Sequence, residues 1–391
     1  MTGGERHAII AGAGCAGLTL ASALLRAVPE LRLTLLDPRT DWGRDRTWCF
    51  WRFEPSAADP FISHSWERFR VRGGAYDTVV RCPRTPYCHV PSDQYLTGVL
   101  EELRASGRCE IRPGTSVRAI REDDAGVIVE LDHAEDAGPN AIRADHAFDS
   151  RPESAIPTGE APPGTLLQRF LGIEARFDSD VFDPGLATVM DFGVPPGGGI
   201  HFMYVLPYAP DRALIETTHL VGVGAPEPDY SACLDAYADE HLGCRPVEVL
   251  RREHGCLPMC ASMPRPRSTD RIWPIGARAR VPRASTGYAF DAILRDSVRV
   301  AHAYRAGRGR SAPPRPGVLD AMDRVVLTLL EQRPEVAPSL FGRLFARAPS
   351  EALLRFLCDR PVGIDLLRVG AAMPIRMLMW HVLRHPRTVL R

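Results

Sequence analysis

A glutamate in the middle of an apolar strand is the residue of this sequence best suited to acid chemistry. The segment ALIETTHLVG, residues 213–222, has the pattern of a strand bound for the interior, yet Glu216 lies at its centre. Burying a lone carboxylate is costly, and such a group usually takes up a proton rather than staying charged. The strand pattern alone leaves two alternatives. Pairing with an arginine such as Arg212 is the more frequent case, and a neutral glutamate able to donate its proton is the other.

A glycine turn near the start of the chain predicts a dinucleotide site. HAIIAGAGCAGLTLASALLRA, residues 7–27, has the pattern of a short strand, a turn and a helix. Gly12, Gly14 and Gly17 supply the tight turn, the approach of backbone to a pyrophosphate, and the close contact of helix and strand. A second strand ends in Asp37, where a carboxylate would bind the adenosine ribose. The alternative is a glycine-rich turn without a ligand. The turn does not distinguish FAD from NAD, although fold analogy with flavoproteins assembled from separated segments favours FAD.

The composition limits the class of protein. The chain has 391 residues, 45% of them apolar, which indicates a folded protein of two or three subdomains. Its formal net charge is zero, so nucleic acid is not an expected partner. All 48 basic residues are arginine, which we attribute to a GC-rich coding genome. The ten cysteines show no CxxC spacing, so we expect reduced thiols, a cytoplasmic protein and no metal site. Neither a signal peptide nor an apolar run long enough to span a bilayer is expected.

Four motifs together resemble the lycopene cyclase family, flavoproteins that close rings at the ends of linear carotenoids. DRTWCFW (45–51) is similar to the family's Thr-Trp-Ser-Phe motif, and LLQRFLG (166–172) to its Gln-x-Phe-x-Gly motif. FMYVLPYAPDRALIETTHL (202–220) resembles the strand pair that carries the catalytic glutamate, and RASTGYAF (283–290) resembles the Thr-Gly-Tyr motif. Each motif is modest by itself, but their order and spacing agree over nearly the whole chain.

Several positions depart from the family pattern. Cys49 replaces the serine of the Thr-Trp-Ser-Phe motif, and Thr217 follows the candidate glutamate where many members have an acid. Ala277 stands where related flavoproteins usually place an aspartate against the ribityl chain, and GARARVPRAS replaces a frequent glycine pair. These differences bear on the substrate and on flavin binding, not on the fold.

The resemblance implies an α/β (α+β) fold. It has a Rossmann-type FAD-binding domain of the flavin monooxygenase-like kind, an inserted β-sheet substrate domain and a C-terminal helical region. We expect the FAD-binding domain in three segments and the substrate domain in two. In chain order the expected segments are 1–75 (FAD-binding), 76–100 (substrate), 101–160 (FAD-binding), 161–264 (β-sheet substrate domain), 265–310 (FAD-binding) and 311–391 (helical).

The resemblance also implies the chemistry of a lycopene β-cyclase. Protonation of a terminal double bond of lycopene, or of a related linear carotenoid, gives a cation that a neighbouring double bond attacks. Proton loss then sets the ring double bond without net electron transfer. Glu216 would be the general acid, because desolvation can raise the pKa of a glutamate by several units. The implied cofactor is FAD, active in its reduced form beside the cation, with NADPH or NADH as the reductant.

Two sets of residues would serve this reaction. The expected FAD-binding residues are Gly12, Gly14, Gly17, Asp37, Arg46, Asp149, Gly276, Thr286, Gly287 and Tyr288. Aromatic rings can stabilise a cation by about 0.5–2 kcal/mol per contact. The candidates are Trp48, Phe50, Trp51, Phe202, Tyr204 and Tyr208, although aromatic residues at alternating strand positions are more often plain core. The amides of the helix that follows STGYAF would hold the anionic flavin edge, and a simple helix cap is the alternative.

Two C-terminal stretches alternate apolar residues with arginines. LFGRLFARAPSEALLRFL (340–357) and AAMPIRMLMWHVLRHPRTVLR (371–391) have the pattern of helices at a membrane surface, which fits helices packed on a sheet equally well. The insolubility of a carotenoid favours peripheral contact with the inner face of the membrane. Two other functions stay open: a flavin monooxygenase or halogenase on the same fold, and a carotenoid-binding protein with vestigial FAD. The pattern also leaves β- and ε-rings, and one or two cyclised ends, as alternatives.

Overall fold

A computed structural model describes residues 6–44, 46–132, 140–151, 161–263, 266–310 and 315–386 of the chain. The strands in these ranges are β1 Arg6–Ala11, β2 Leu31–Asp37, β3 Thr47–Trp51, β4 His64–Trp66, β5 Arg68–Gly73, β6 Tyr76–Arg81, β7 Tyr87–Pro91, β8 Cys109–Pro113, β9 Ser116–Asp123, β10 Gly126–Asp132, β11 Ala141–Ala144, β12 His146–Asp149, β13 Leu166–Arg176, β14 Ala187–Asp191, β15 Ile200–Ala209, β16 Arg212–Gly222, β17 Glu248–Met259 and β18 Ile272–Pro274. The helices are α1 Cys15–Ala27, α2 Ser92–Ala105, α3 Tyr230–Tyr237, α4 Phe290–Arg305, α5 Gly317–Gln332, α6 Ala337–Arg347, α7 Ser350–Leu357, α8 Asp365–Ala372 and α9 Ile375–Arg384.

A parallel sheet forms the predicted dinucleotide-binding unit. Its strand order is β18-β12-β1-β2-β8, and every neighbouring pair is parallel. β1 and β2 are apolar along most of their length because helices α1, α2 and α4 cover one face and the sheet β9–β11 lies against the other. The strand–turn–helix–strand order expected from the glycine turn is confirmed, and so is the predicted α/β fold class.

A seven-stranded sheet forms the second unit, with the order β17-β13-β16-β15-β14-β5-β6. Its strands come from two parts of the chain, since β5 and β6 precede α2 whereas the other five follow β12. One face of β15 and β16 points toward the C-terminal helices, and the opposite face packs on α3. Side chains alternate between faces along a strand, so neighbouring residues of β16 serve different cores.

The C-terminal helices α5–α7 close the face of the large sheet that carries Glu216. α6 approaches β5 so closely that a Cβ on Gly342 would lie 2.3 Å from the carbonyl oxygen of Gly73. Leu340, Leu344 and Phe345 are buried in this contact. The first of the two arginine-rich stretches, 340–357, therefore packs on the sheet.

A buried ion pair joins these helices to the loop before α4. Arg283 donates two hydrogen bonds to Asp323 of α5, at 3.0 and 2.7 Å to Oδ1, and Ser285 donates to the same oxygen at 2.7 Å. Both side chains of the ion pair are 2% exposed. The loop is thus fixed to a helix far away in sequence. The predicted domain boundaries at 160, 264 and 310 fall at or beside residues 152–160, 264–265 and 311–314, which lie outside the described residues.

Candidate active site

Glu216 lies on the face of β16 that points toward the C-terminal helices. Thr218, two residues further along the same face, donates a 2.7 Å hydrogen bond to its Oε1. The Glu216 side chain is partly buried. Desolvation, with a further contribution from the charge of Glu253, raises the pKa of Glu216 to about 8. In the described part of the chain no salt bridge joins Glu216 to Arg212 or to another arginine, and Arg212 lies over the Tyr208 ring instead.

A second carboxylate lies two strands away, and the sequence pattern did not identify it. Gly172 of β13 is paired with Glu216 on one side and with Glu253 of β17 on the other. Glu253 is 5% exposed, and its Oε2 accepts hydrogen bonds from Thr47 and Arg251, each at 2.8 Å. The glycine that closes the Gln-x-Phe-x-Gly motif therefore separates two acids. That position of Gly172, in register with Glu216, was the available sequence signal.

A group of aromatic side chains lies on the Glu216 side of the large sheet. Tyr204 is directly opposite Glu216 on β15, and its hydroxyl lies 2.8 Å from the hydroxyl of Tyr87. The Trp51 ring is 4.7 Å from the Tyr87 ring and 5.0 Å from the Tyr288 ring. Burial raises the pKa of Tyr204 and Tyr87 well above the ordinary value, so both stay neutral near pH 7. These rings form an uncharged, electron-rich wall.

The other aromatic candidates divide between the two cores. Phe202 and Tyr208 share the face of β15 that carries Tyr204. Trp48 and Phe50 lie on the opposite face of β3, with ring centroids 5.1 and 5.4 Å from Phe290 of α4. The structure therefore brings Trp51, Phe202, Tyr204 and Tyr208 to the side of Glu216 and places Trp48 and Phe50 in the core of the parallel sheet.

The glycine turn has the geometry that a pyrophosphate requires. Gly12 has φ of +99°, and a Cβ on Gly17 would lie 1.8 Å from the carbonyl oxygen of Gly12, so both positions require glycine. Gly14 precedes α1 without a side-chain cap, and a Cβ there would meet only Arg39, at 3.8 Å. An open surface beside uncapped amides at a helix N-terminus suits an anionic group. The residues present fit the diphosphate of FAD.

Two buried aspartates hold the strand ends around this turn. Asp37 accepts a 2.6 Å hydrogen bond from the amide of Ala13 and pairs with Arg39 at 3.0 Å. Asp149, at the end of β12, pairs with Arg151 at 2.9 Å and with Arg278 at 3.2 Å. Asp37 thus holds the backbone of the glycine turn, and both carboxylates hold arginines at the edge of the parallel sheet where this turn lies.

Two other predicted FAD-binding residues connect chain segments. Gly276 has φ of +59°, and a Cβ there would lie 2.5 Å from the Cβ of Ala16, so the third segment returns to the first turn of α1. Arg46 binds the Ser92 hydroxyl through its amide at 3.1 Å and the carbonyl oxygen of His254 through its guanidinium at 3.2 Å. Arg46 thereby connects β3 with the parallel-sheet unit and with β17.

The Thr-Gly-Tyr turn connects the two sheets. Gly287 has φ of +69° and its amide donates to the carbonyl oxygen of Arg283 at 2.8 Å, while the Thr286 hydroxyl accepts from the amide of Tyr288 at 3.3 Å. A Cβ on Gly287 would lie 3.5 Å from Oε1 of Gln168 on β13. The turn leads directly into α4, whose N-terminus has no side-chain cap. It places helix amides beside the sheet that carries Glu216.

The whole chain is similar to one protein family. The family model described as lycopene cyclase protein matches residues 8–381. A lycopene beta-cyclase of Paracoccus sp. (strain N81106 / MBIC 01143) is 28% identical over 393 residues, covering 94% of this chain and 93% of that protein. A lycopene beta-cyclase of Pantoea ananas is 26% identical over 294 residues, 72% of this chain and 70% of that protein.

Solved structures with the same fold include flavin-dependent proteins. A geranylgeranyl bacteriochlorophyll reductase-like protein from Thermoplasma acidophilum has a TM-score of 0.63 at 11% identity, with 99% of this chain and 100% of that chain covered. The flavin-dependent brominase Bmp2 has a TM-score of 0.59 at 14% identity, with 98% and 100% covered. Klebsiella pneumoniae HpxO, complexed with FAD and uric acid, has a TM-score of 0.58 at 15% identity, with 95% and 98% covered. At these identities the likeness shows the fold alone.

Proposed function

The chain belongs to the lycopene cyclase family, and from this membership we propose that it is a lycopene β-cyclase that requires reduced FAD. The proposed reaction is the closure of the linear ends of lycopene to β-rings, without net transfer of electrons. The observation that carries the proposal is the desolvated carboxyl of Glu216, with its pKa raised, opposite Tyr204 on the neighbouring strand. A glutamate with its pKa near 8 holds its proton at neutral pH, and a proton donor is what the first step demands.

The side chains around Glu216 have separate tasks in this reaction. Because the Thr218 hydroxyl donates to Oε1, we assign the transferable proton to Oε2. The rings of Tyr204, Tyr87 and Trp51 exclude water and present their π-faces to the developing cation. Exclusion of water also keeps the cation from being captured as an alcohol.

The glycine turn and the Thr-Gly-Tyr turn would hold the cofactor at its two ends. Gly12, Gly14 and Gly17 would bind the diphosphate, and Gly287 with the first amides of α4 would lie at the flavin. When bound, reduced FAD supplies a fixed negative charge that stabilises a neighbouring cation. NADPH or NADH would serve only to keep the flavin reduced.

The C-terminal helices α8 and α9 are the proposed membrane-contact surface. Within the described residues no single helix is long and apolar enough to cross a membrane, and α8 and α9 qualify only as a pair bent by 89°. Their exposed apolar side chains are Ile364, Leu367, Ile375, Met379, Trp380 and Leu383, and the exposed arginines beside them are Arg368, Arg376 and Arg384. An apolar cavity of about 330 Å³ lies between these helices and α5. Apolar side chains ringed by arginines suit an anionic lipid surface, and we propose peripheral attachment to the inner face of the membrane.

The test is anaerobic incubation of the purified protein with FAD, lycopene in liposomes, and either dithionite or NADPH. We expect β-rings by chromatography, one solvent deuteron per ring in heavy water, and flavin that stays reduced. Glu216→Gln keeps the shape of the side chain but not the transferable proton, so it should bind FAD and lycopene and form no ring. Cyclisation by a folded Glu216→Gln variant would contradict the proposal. Oxygen consumption coupled to NADPH oxidation, without rings, would indicate a monooxygenase instead.

A further inference from the structure

The second carboxylate beside the site has no role in the proposed reaction so far. Glu253 reaches over Gly172 toward β16, because a Cβ built on Gly172 would lie 3.0 Å from its Cγ and 3.2 Å from its Oε1. Glu216 occupies the next strand on the same face of the sheet. Glycine at position 172 leaves room for the Glu253 side chain between the two strands, and Cδ1 of Leu214 also lies 3.2 Å from the position of such a Cβ. The two acids therefore flank Gly172 from two sides.

Two neighbouring side chains fix one oxygen of Glu253. Oε2 accepts from Thr47 and from Arg251, and Arg251 also donates to the Thr47 hydroxyl at 2.7 Å. These two hydrogen bonds fix Oε2 of Glu253. The other oxygen, Oε1, lies 3.2 Å from the position that a Gly172 Cβ would take. The anchored carboxyl of Glu253 and the carboxyl of Glu216 thus lie on strands either side of one glycine.

The reaction needs a base as well as an acid. Resting on the proposed function, we propose that Glu253 is the base that accepts the proton lost from the ring after Glu216 has protonated the terminal double bond. In the first step a C–H bond forms with the Glu216 proton, and the resulting cation is attacked by the neighbouring double bond. In the last step a ring C–H bond breaks, its electron pair becomes the ring double bond, and the proton passes to Oε1 of Glu253. Glu253 then releases that proton to solvent and Glu216 takes up a proton from solvent before the next turnover, so no net proton is consumed.

Among the neighbouring groups, Glu174 is also a buried carboxylate, but it lies two residues further along β13, in register with Arg251, and is held by Arg44 at 3.1 Å and Arg251 at 3.6 Å. Tyr204, from β15, is a neutral phenol. Arg251, from β17, is a cation, and β13 contributes only Gly172 at this level. A carboxylate that is paired with arginine is a weak base, but the proton beside a carbocation is so acidic that position matters more than basicity. The position of the base also selects which ring carbon loses its proton, and therefore the ring type.

The test is Glu253→Gln in heavy water, with reduced FAD and lycopene. In this variant Glu216 still protonates lycopene, but no base accepts the proton from the ring. The cation therefore gives its proton back to Glu216. We expect formation of β-rings to fall by roughly 10²–10⁴-fold. Recovered lycopene should gain solvent deuterium at its ends, and residual rings should carry the double bond at other positions. Glu216→Gln should show neither rings nor exchange. Gly172→Ala, which displaces the Glu253 carboxylate, should also exchange.

The matched control is Asp191→Asn, which removes another buried acid of the same sheet. Asp191 is 4% exposed and pairs with Arg72 at 2.7 Å, but it lies on the α3 side of the sheet, where Tyr237 donates to it at 3.2 Å, opposite to the face of Glu216. This variant should make β-rings without exchange. Glu253→Asp should recover part of the β-ring activity. Two results for folded, FAD-loaded Glu253→Gln would overturn the proposal. One is formation of β-rings as fast as in Asp191→Asn, and the other is the absence of both rings and deuterium exchange. Absence of cyclisation by the wild type would refute the proposed function itself, and is thereby distinguishable.

Discussion

Thr218→Val should move the alkaline limit of activity upward. The Thr218 hydroxyl bonds to Glu216 and lowers its pKa, opposing the desolvation that raises it. A hydrogen bond contributes about 1.5–3 kcal/mol to a charged group and about 0.5–1.5 kcal/mol to a neutral one. The difference, roughly 1–1.5 kcal/mol, corresponds to about one pH unit. The wild-type rate should be half-maximal near pH 8, and that of the variant near pH 9.

The assay is the initial rate of ring formation between about pH 6 and pH 10, with flavin reduced chemically so that reductase steps do not intrude. At about pH 9 the wild type should retain roughly one-tenth of its plateau rate and Thr218→Val about half. The control is Thr217→Val. The Thr217 hydroxyl points to the opposite face, where it lies 2.9 Å from His201 and 3.0 Å from His219. Its loss can reduce stability but should leave the midpoint unchanged.

A midpoint that stays near pH 8 in Thr218→Val, or moves down, would refute this reasoning. It would mean that the titrating group is not Glu216 or that the hydroxyl does not favour its ionised form. A wild-type rate that rises with pH above neutrality would refute it more directly, because ionisation of a general acid can only remove activity.

Four further predictions concern the cofactor, the fold and the membrane. Gly14→Val should lose FAD absorbance but keep its fold by circular dichroism, because a side chain fits there only in the space meant for the diphosphate; a full flavin spectrum would refute the assignment. Glu216→Gln should become more stable relative to the wild type as pH rises. The folded-state pKa of Glu216 is raised, so the stability that this residue contributes is fully present below its ordinary pKa near 4.5 and is lost as pH rises through about 8. Thermal melting at several pH values would show this change. Arg283→Met should lower the free energy of unfolding, measured by urea titration, by about 3–5 kcal/mol, since Asp323 would be left buried without its partner. A decrease below about 1 kcal/mol would contradict a stabilising role of this ion pair. Leu383→Asp should weaken sedimentation with anionic liposomes and leave the melting temperature unchanged, because this side chain is 76% exposed; equal binding would refute the proposed surface.

The sequence predicts the parallel-sheet unit well because its signals are local. Tight turns, helix periodicity and buried parallel strands each depend on residues close together in the chain, so the glycine turn and α1 are where the pattern placed them. The long strand β17, Glu248–Met259, has a weaker local signal. Its second half alternates exposed and buried residues, and Pro258 obscures the strand pattern there.

The proximity of Glu216 and Glu253 could not be predicted from the sequence, for a different reason. Glu216 is conspicuous because a charged residue interrupts an apolar run, but Glu253 follows arginines in a polar segment and resembles a surface residue. Only the pairing of β13 with both β16 and β17 brings the two together, and register between distant strands is a tertiary property. The same limitation applies to Trp48 and Phe50: alternation along β3 predicts that they share a face, but not which core that face meets.

The four motifs differ in chain position but meet at one place through strand register. Thr47 from the first holds Glu253, and Gly172 from the second makes room between the acids. Glu216 comes from the third motif, and Gly287 of the fourth lies against Gln168 of the second. A glutamate buried in a sheet would ordinarily be a liability, because its charge cannot be solvated there. With the anchored carboxyl of Glu253 on the other side of Gly172, the same burial keeps the proton on Glu216 at neutral pH. Thr217, where many family members have an acid, fits this arrangement. A side chain at position 217 points to the opposite face of the sheet, toward His201 and His219, so an acid there is not needed for proton donation by Glu216.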